Sequence, residues 1–127
     1  IKADTFTDIE ANPSVTTVEK ATAKYLESGA DFIVAFGGGS PMDVAKAVGV
    51  VAKYGGSVTD YEGAHKVPGP IVPLIAIPTT AGTGSEVTAF SVITDHSRNY
   101  KLTVFSYEIL PKYAILDADS SQQHRQA

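Results

Sequence analysis

The chain has 127 residues, of which 43% are hydrophobic and 19% are charged, and it contains no cysteine. This length suits one compact domain, the apolar fraction argues against disorder, and the lack of cysteine fits a reducing cytoplasm. The net charge of −4 disfavours nucleic acid or a membrane surface as partner, and no stretch approaches the roughly 20 consecutive apolar residues of a membrane span.

The N-terminal third predicts a strand, a helix and a second strand. Residues 1–6 favour a short strand, and a helix is expected to begin with Thr16 as its cap and Glu19 as the reciprocal partner in a capping box. Gly29 is expected to end that helix in the left-handed conformation. The continuous apolar run at 31–36 then predicts a strand buried on both faces, as in a parallel sheet.

The rest of the chain continues the alternation of helix and strand. Residues 40–54 predict a second helix, because apolar side chains recur there at helical spacing, whereas residues 57–70 favour a loop. Further strands are predicted at residues 74–77, 87–94, 100–105 and 113–116, with a hairpin across residues 95–99. This order predicts an α/β fold, a Rossmann-like open sheet with an appended β-ribbon.

Three glycines separate the first buried strand from the second helix. Gly37, Gly38 and Gly39 lead into Ser40, with Pro41 expected at the first helical position. Glycines allow backbone amides to approach an anion closely, and a helix start adds free N–H groups and the positive end of its dipole. The segment therefore predicts a phosphate site, although it matches neither the G-x-G-x-x-G pattern nor a P-loop.

A purely structural interpretation of the same segment remains open. Ser40 can be read as the N-cap of the helix with Asp43 as its capping partner, and Asp43 and Lys46 as an ordinary pair on the helix surface. Three successive glycines exceed what a cap requires, which favours ligand binding.

A second loop, at residues 77–88, follows another apolar strand. It is rich in hydroxyl side chains and small residues, and it lies where open α/β sheets bind ligands. Such a loop can contact a ribose, a phosphate or a carboxamide without carrying a formal charge. A simple Ser/Thr/Gly connection is the alternative.

Together the two loops resemble the iron-containing (group III) alcohol dehydrogenases. The resemblance rests on Gly-Gly-Gly-Ser-Pro-x-Asp-x-x-Lys at 37–46 and on Pro-Thr-Thr-Ala-Gly-Thr-Gly-Ser-Glu-Val-Thr at 78–88. Supporting matches occur at 10–13, 60–63, 93–95 and 116–117, so the similarity covers about residues 5–119. The first motif also admits relatives of glycerol dehydrogenase and dehydroquinate synthase, whose N-terminal domains share this fold, whereas the second motif favours the alcohol dehydrogenases.

The resemblance implies an oxidoreductase that transfers hydride between a small alcohol or aldehyde and NAD or NADP. The backbone of the first loop would hold the pyrophosphate, Asn12 would lie near the adenosine, and Asp43 and Glu86 would shape the site without being catalytic. Lys101 is as easily read as an exposed strand lysine. The implied cofactor-binding residues are Asn12, Gly38, Gly39, Ser40, Thr79, Thr80, Gly82, Thr83, Val92 and Lys101.

The family's metal centre has no counterpart in this sequence. Its divalent metal, Fe2+ or Zn2+, is held by one Asp and three His of a helical C-terminal domain, but His65, His96 and His124 are far apart and form no paired spacing. The chain is therefore expected to be a cofactor domain at 1–119 cut at both ends, followed by a polar tail at 120–127 and lacking the metal domain.

The resemblance further implies a homo-oligomer, a dimer, for the full-length enzyme. A fragment without metal ligands is expected to be inactive alone. The alternatives are a non-catalytic nucleotide-binding or assembly module, and an enzyme resembling dehydroquinate synthase or glycerol dehydrogenase.

Overall fold

The computed structural model describes residues 12–37, 39–78 and 88–114. The strand predicted at 1–6, most of the second loop and the polar tail lie outside these residues. Among the described residues, no helix is long and apolar enough to cross a membrane. The elements are helices α1 (Val15–Ser28) and α2 (Gly39–Tyr54), strands β1 (Ile33–Gly37), β2 (Gly63–Ala64), β3 (Leu74–Pro78), β4 (Phe90–Asp95), β5 (Tyr100–Phe105) and β6 (Tyr113–Ala114), and 3-10 turns at Val58–Tyr61 and Tyr107–Ile109.

Helix α1 begins two residues earlier than the sequence pattern predicts. Its N-cap is Ser14, whose hydroxyl accepts a hydrogen bond from the Thr17 amide at 3.2 Å, so the predicted cap at Thr16 is wrong. The chain before the helix is fixed against β4, because the Thr94 amide donates to the Pro13 carbonyl at 2.8 Å. This contact holds Ser14 in the extended conformation that a cap needs. The predicted stop is confirmed, since Gly29 has φ 69°.

Helix α2 lies between two sheets and is buried on both sides. Met42 and Ala45 pack against Leu74 and Ala76 of the parallel sheet. On the other side, Val44, Ala47, Val48 and Val51 join a core with α1 and the inner face of the hairpin. A helix that is apolar on all sides is stable only when it is enclosed in this way.

The first sheet is parallel and has the order β1-β3-β6. Strands β1 and β3 pair in register from Ile33 opposite Leu74 to Gly37 opposite Pro78. Both strands therefore end at the same level, and the two loops singled out in the sequence leave the sheet side by side. The apolar runs correctly predicted the positions of both strands. The expectation that β1 is buried on both faces is wrong, because α2 covers the face that carries Ala35, whereas Val34 and Phe36 on the opposite face are 46% and 66% exposed.

The second sheet has the order β2-β5-β4 and contains the predicted hairpin. Asp95 pairs with Tyr100 at its turn, and residues 90–95 run antiparallel to 100–105. The ribbon thus belongs to a second sheet on the other side of α2, and it does not extend the parallel sheet. Its third strand, β2, lies within residues 57–70, which were predicted to form a loop. The strand has only two residues, which pair with Val104 and Phe105, and so short a strand leaves no periodic pattern in the sequence.

Side-chain contacts fix the turn of this hairpin. Asp95 accepts hydrogen bonds from the Ser97 amide and hydroxyl and, at 2.8 Å, from Arg98 Nε, and these bonds hold the pKa of its carboxyl below the usual range. Tyr100 donates to the carboxylate of Glu62, which also faces Arg98. The turn is therefore tied to the segment before β2. Asn99 completes it with a φ of 49°.

Candidate functional site

The candidate site lies at the carboxyl end of the parallel sheet. Gly37 and Pro78 are neighbours across β1 and β3, and α2 begins at Gly39, two residues after Gly37. The first amides of α2 have no acceptor within the helix, and the helix dipole makes this end positive. The edge between the two loops therefore fits an anionic group such as a phosphate.

The start of α2 argues against the purely structural interpretation of the glycine segment. Because the helix begins at Gly39, Ser40 is already helical and is not its N-cap. Pro41 stands third in the helix and not first, a position at which a missing N–H still leaves no hydrogen bond unmade. The predicted cap at Ser40 is therefore wrong, and ligand binding by the glycines stays a prediction.

Lys46 is completely buried, so its interpretation as one half of a surface pair is wrong. Its Nζ donates to the carbonyl oxygens of Thr88 at 2.9 Å and of Phe90 at 3.2 Å, and it lies 3.1 Å from the Thr88 hydroxyl oxygen. A buried ammonium is tolerated only where oxygens replace its water shell, and these main-chain groups do so.

Asp43 contacts the same strand one turn earlier in the helix. The Val92 amide donates to its carboxylate, and the Ser91 hydroxyl donates to its main-chain carbonyl at 2.7 Å. Burial raises the pKa of the Asp43 carboxyl to about 6, and the nearby Lys46 charge and the Val92 bond offset only part of that effect. This carboxyl therefore titrates closer to neutrality than an ordinary aspartate.

These contacts form a clamp between α2 and β4, consisting of Asp43 and Lys46 on the helix and Thr88, Phe90 and Val92 on the strand side. Each charged side chain of the helix meets a complementary main-chain group of the strand. The Lys46 ammonium donates to carbonyl oxygens, and the Asp43 carboxylate accepts from an amide. An edge strand presents such groups unpaired unless another element covers them. The clamp is located where the chain leaves the second loop at Thr88.

The described members of the predicted cofactor set divide into two groups. Gly39 and Ser40 lie at the start of α2, and Val92 lies beside the next turn through its bond to Asp43. Lys101 is exposed on β5 opposite Thr94, and Asn12 is exposed ahead of α1. The predicted residues outside the described part of the chain are Gly38, Thr79, Thr80, Gly82 and Thr83.

Sequence reasoning missed Lys46 as a buried anchor, although a signal existed. Three of its four neighbours one helical turn away, Met42, Gly49 and Val50, are apolar, and only Asp43 is polar. A lysine in the middle of a helix whose surroundings are mostly apolar must find acceptors in the interior.

The described residues do not fit a metal centre. No three His, Asp or Glu side chains come together within residues 12–37, 39–78 and 88–114. His65 packs instead against the rings of Phe105 and Tyr107, with centroids 5.6 and 6.0 Å away, and His96 is exposed in the hairpin turn. These described side chains therefore form no site that could hold a divalent metal.

Known proteins share both the sequence and the fold of this chain. The NAD-dependent methanol dehydrogenase of Bacillus methanolicus is 43% identical over 114 residues, which are 90% of this chain and 30% of that protein. The lactaldehyde reductase of Escherichia coli (strain K12) is 41% identical over 110 residues, 85% of this chain and 29% of that protein. This chain thus spans about 30% of the length of these curated relatives.

Solved structures are also similar to this chain in fold and sequence. The sulfoacetaldehyde reductase of Bifidobacterium kashiwanohense, in complex with NAD+, superposes with a TM-score of 0.85 at 42% identity, over 92% of this chain and 31% of that one. The alcohol dehydrogenase of Oenococcus oeni also reaches 0.85, at 35% identity, over 88% of this chain and 29% of its own. A family model described as iron-containing alcohol dehydrogenase matches residues 1–118. With its paired loops at the carboxyl edge of a parallel sheet, the chain belongs to the iron-containing alcohol dehydrogenase family.

Proposed function

We propose that this chain is the cofactor-binding part of a nicotinamide-dependent alcohol dehydrogenase that interconverts a small alcohol and its aldehyde or ketone. The observation that carries the proposal is the register of β1 and β3, which brings the two loops out side by side at the start of α2. That arrangement offers amides and a helix dipole to a pyrophosphate at one place. The similar sulfoacetaldehyde reductase was solved in complex with NAD+, which supports NAD over NADP.

The residues of this chain would bind and orient the dinucleotide. Gly38, Gly39 and Ser40 would hold the pyrophosphate through main-chain amides, and Asn12 would lie on the adenosine side. When bound, the nicotinamide supplies the hydride acceptor for the alcohol carbon. The remaining set would line its nicotinamide end and close over it: Thr79, Thr80, Gly82, Thr83, Val92 and Lys101.

The chemistry at the alcohol oxygen falls outside the residues described here. The family's Fe2+ or Zn2+ belongs to the proposal for the full-length enzyme, but the described side chains do not fit it. What this chain contributes is binding energy and orientation, which can lower a reaction barrier substantially without any catalytic side chain. A cytoplasmic location and a homodimeric enzyme complete the proposal.

Cofactor binding tests the proposal directly. We expect the full chain to quench or shift the fluorescence of NADH in a saturable titration, with NADPH measured in parallel. Failure to bind either nucleotide, in a chain that circular dichroism shows to be folded, would contradict the proposal. Binding without alcohol-dependent reduction of NAD would instead place catalysis on residues beyond this chain.

A further inference from the structure

The clamp between α2 and β4 joins the two halves of the candidate site. Its helix side, Asp43 and Lys46, follows the start of α2 by one to two turns. Its strand side begins at Thr88, where the chain leaves the second loop. The helix therefore carries the first loop at its N-terminus and holds the exit of the second loop with its side chains.

We propose that Lys46 is a positioning residue for the cofactor site, which fixes the exit of the second loop relative to the start of α2. This inference rests on the proposed function. Lys46 bonds to the main chain of Thr88 and Phe90, and its effect on the site would be exerted through these two residues.

The buried position of Lys46 makes this link stiff. Its side chain is 0% exposed, and its ammonium contacts both the main chain and the hydroxyl of Thr88. Hydrogen bonds to a charged group stabilise a fold more than neutral ones do, and carbonyls left unpaired in the interior carry a comparable cost. Removing the ammonium would thus release Thr88 and Phe90 from the helix while the apolar packing of the stem could remain.

A second observation shows that this part of β4 is held by the helix rather than only by its partner strand. The Val92 amide and the Ser91 hydroxyl both bond to Asp43 of the helix. On the partner-strand side, the Ala89 carbonyl accepts from the Ser106 amide, just after β5, at 2.9 Å. The segment from 88 to 92 is therefore anchored along its length. Lys46 holds Thr88, the first residue of this segment, and so fixes the position at which the second loop ends.

The test compares Lys46→Met with a matched destabilised variant of the full chain. Val50→Ala removes a buried side chain from the same helix without touching the clamp, so it lowers stability by a cavity alone. NADH affinity is measured by fluorescence titration for the wild type and both variants, together with thermal melting. We expect Lys46→Met to weaken NADH binding about tenfold, and Val50→Ala to leave it within about twofold.

Two further variants make the outcome decisive. Lys46→Arg keeps a cation that can reach the same carbonyls, and we expect it to restore part of the lost affinity. If Lys46→Met does not fold, Thr88→Val removes one acceptor with little change of shape, and weaker NADH binding by that variant supports the proposal.

The proposal is overturned if NADH affinity is unchanged in a folded Lys46→Met or, failing that variant, in Thr88→Val. It is equally overturned if Val50→Ala weakens binding as much as Lys46→Met does. A wild-type chain that binds neither NADH nor NADPH would instead refute the proposed function, so the two failures are distinguishable.

Discussion

The Ser91 hydroxyl donates a 2.7 Å hydrogen bond to the main-chain carbonyl of Asp43, joining the ribbon to helix α2. The next residue along β4, Val92, donates its amide to the carboxylate of the same aspartate. Asp43 is therefore held through both its main chain and its side chain by consecutive residues of one strand. Any change in the charge of its carboxylate acts directly on the contact between the helix and the second sheet.

The raised pKa of Asp43 makes stability depend on pH. Its carboxyl titrates at about 6 when folded, against 3.8 for the ordinary value, so the folded state holds a proton that the unfolded state has already lost. Stability should fall as the pH rises from 4 to 6, by about 3 kcal/mol for this group. Asp43→Asn has no carboxyl at this position, so its free energy of unfolding should not show this decrease. Relative to the wild type, the variant should become more stable as the pH rises.

Urea unfolding at pH 4, 5, 6 and 7 measures this difference. Asparagine keeps an oxygen that can accept from the Val92 amide, so the strand contact should survive. Val50→Ala serves as the control, because a lost apolar side chain should lower stability equally at each pH. Parallel curves for Asp43→Asn and the wild type would show that this carboxyl does not carry the linkage.

The first residue of α2 should limit how closely a pyrophosphate can approach. Gly39→Val places a branched side chain at the helix start, and we expect NADH affinity to fall about tenfold or more, whereas Gly39→Ala should have a smaller effect. Ala52→Val adds the same kind of bulk near the other end of α2 and should not change affinity. Unaltered NADH binding by a folded Gly39→Val would remove the glycine segment from the site.

The hairpin turn tests a different property, the backbone strain at Asn99. Its φ of 49° lies in the left-handed region, which asparagine and glycine adopt more readily than other residues. Asn99→Ala should therefore lower the free energy of unfolding by about 1 kcal/mol, while Asn99→Gly should be close to neutral. Urea unfolding measures both values. Equal losses in the two variants would mean that the Asn99 side chain, and not its conformation, stabilises the turn.

Much of the fold was predictable because its signals are local. The apolar runs predicted β1 and β3, and turn residues between two alternating segments predicted the hairpin. Contacts that arise only in the folded chain were not predictable. Strand β2 depends on pairing with β5, and the choice of Ser14 over Thr16 as cap depends on the bond between Thr94 and Pro13.

The candidate site shows the same division. The glycines and the Pro78–Thr88 motif predicted where the two candidate loops leave the sheet, since strand ends and residue types are local properties. The burial of Lys46 follows instead from packing α2 between two sheets, and its acceptors are 42 and 44 residues away in sequence. No spacing rule connects an ammonium to carbonyls at that separation.

The enclosure of α2 also determines how this region of the protein can change during evolution. Every residue from Val44 to Val51 is buried, whereas α1 exposes Glu19, Lys20 and Lys24. A saturation library should therefore show tolerated positions recurring every third or fourth residue in α1 but a continuous intolerant block in α2. New substrate preferences would then have to come from the loops and the chain beyond them, with this helix inherited almost unchanged.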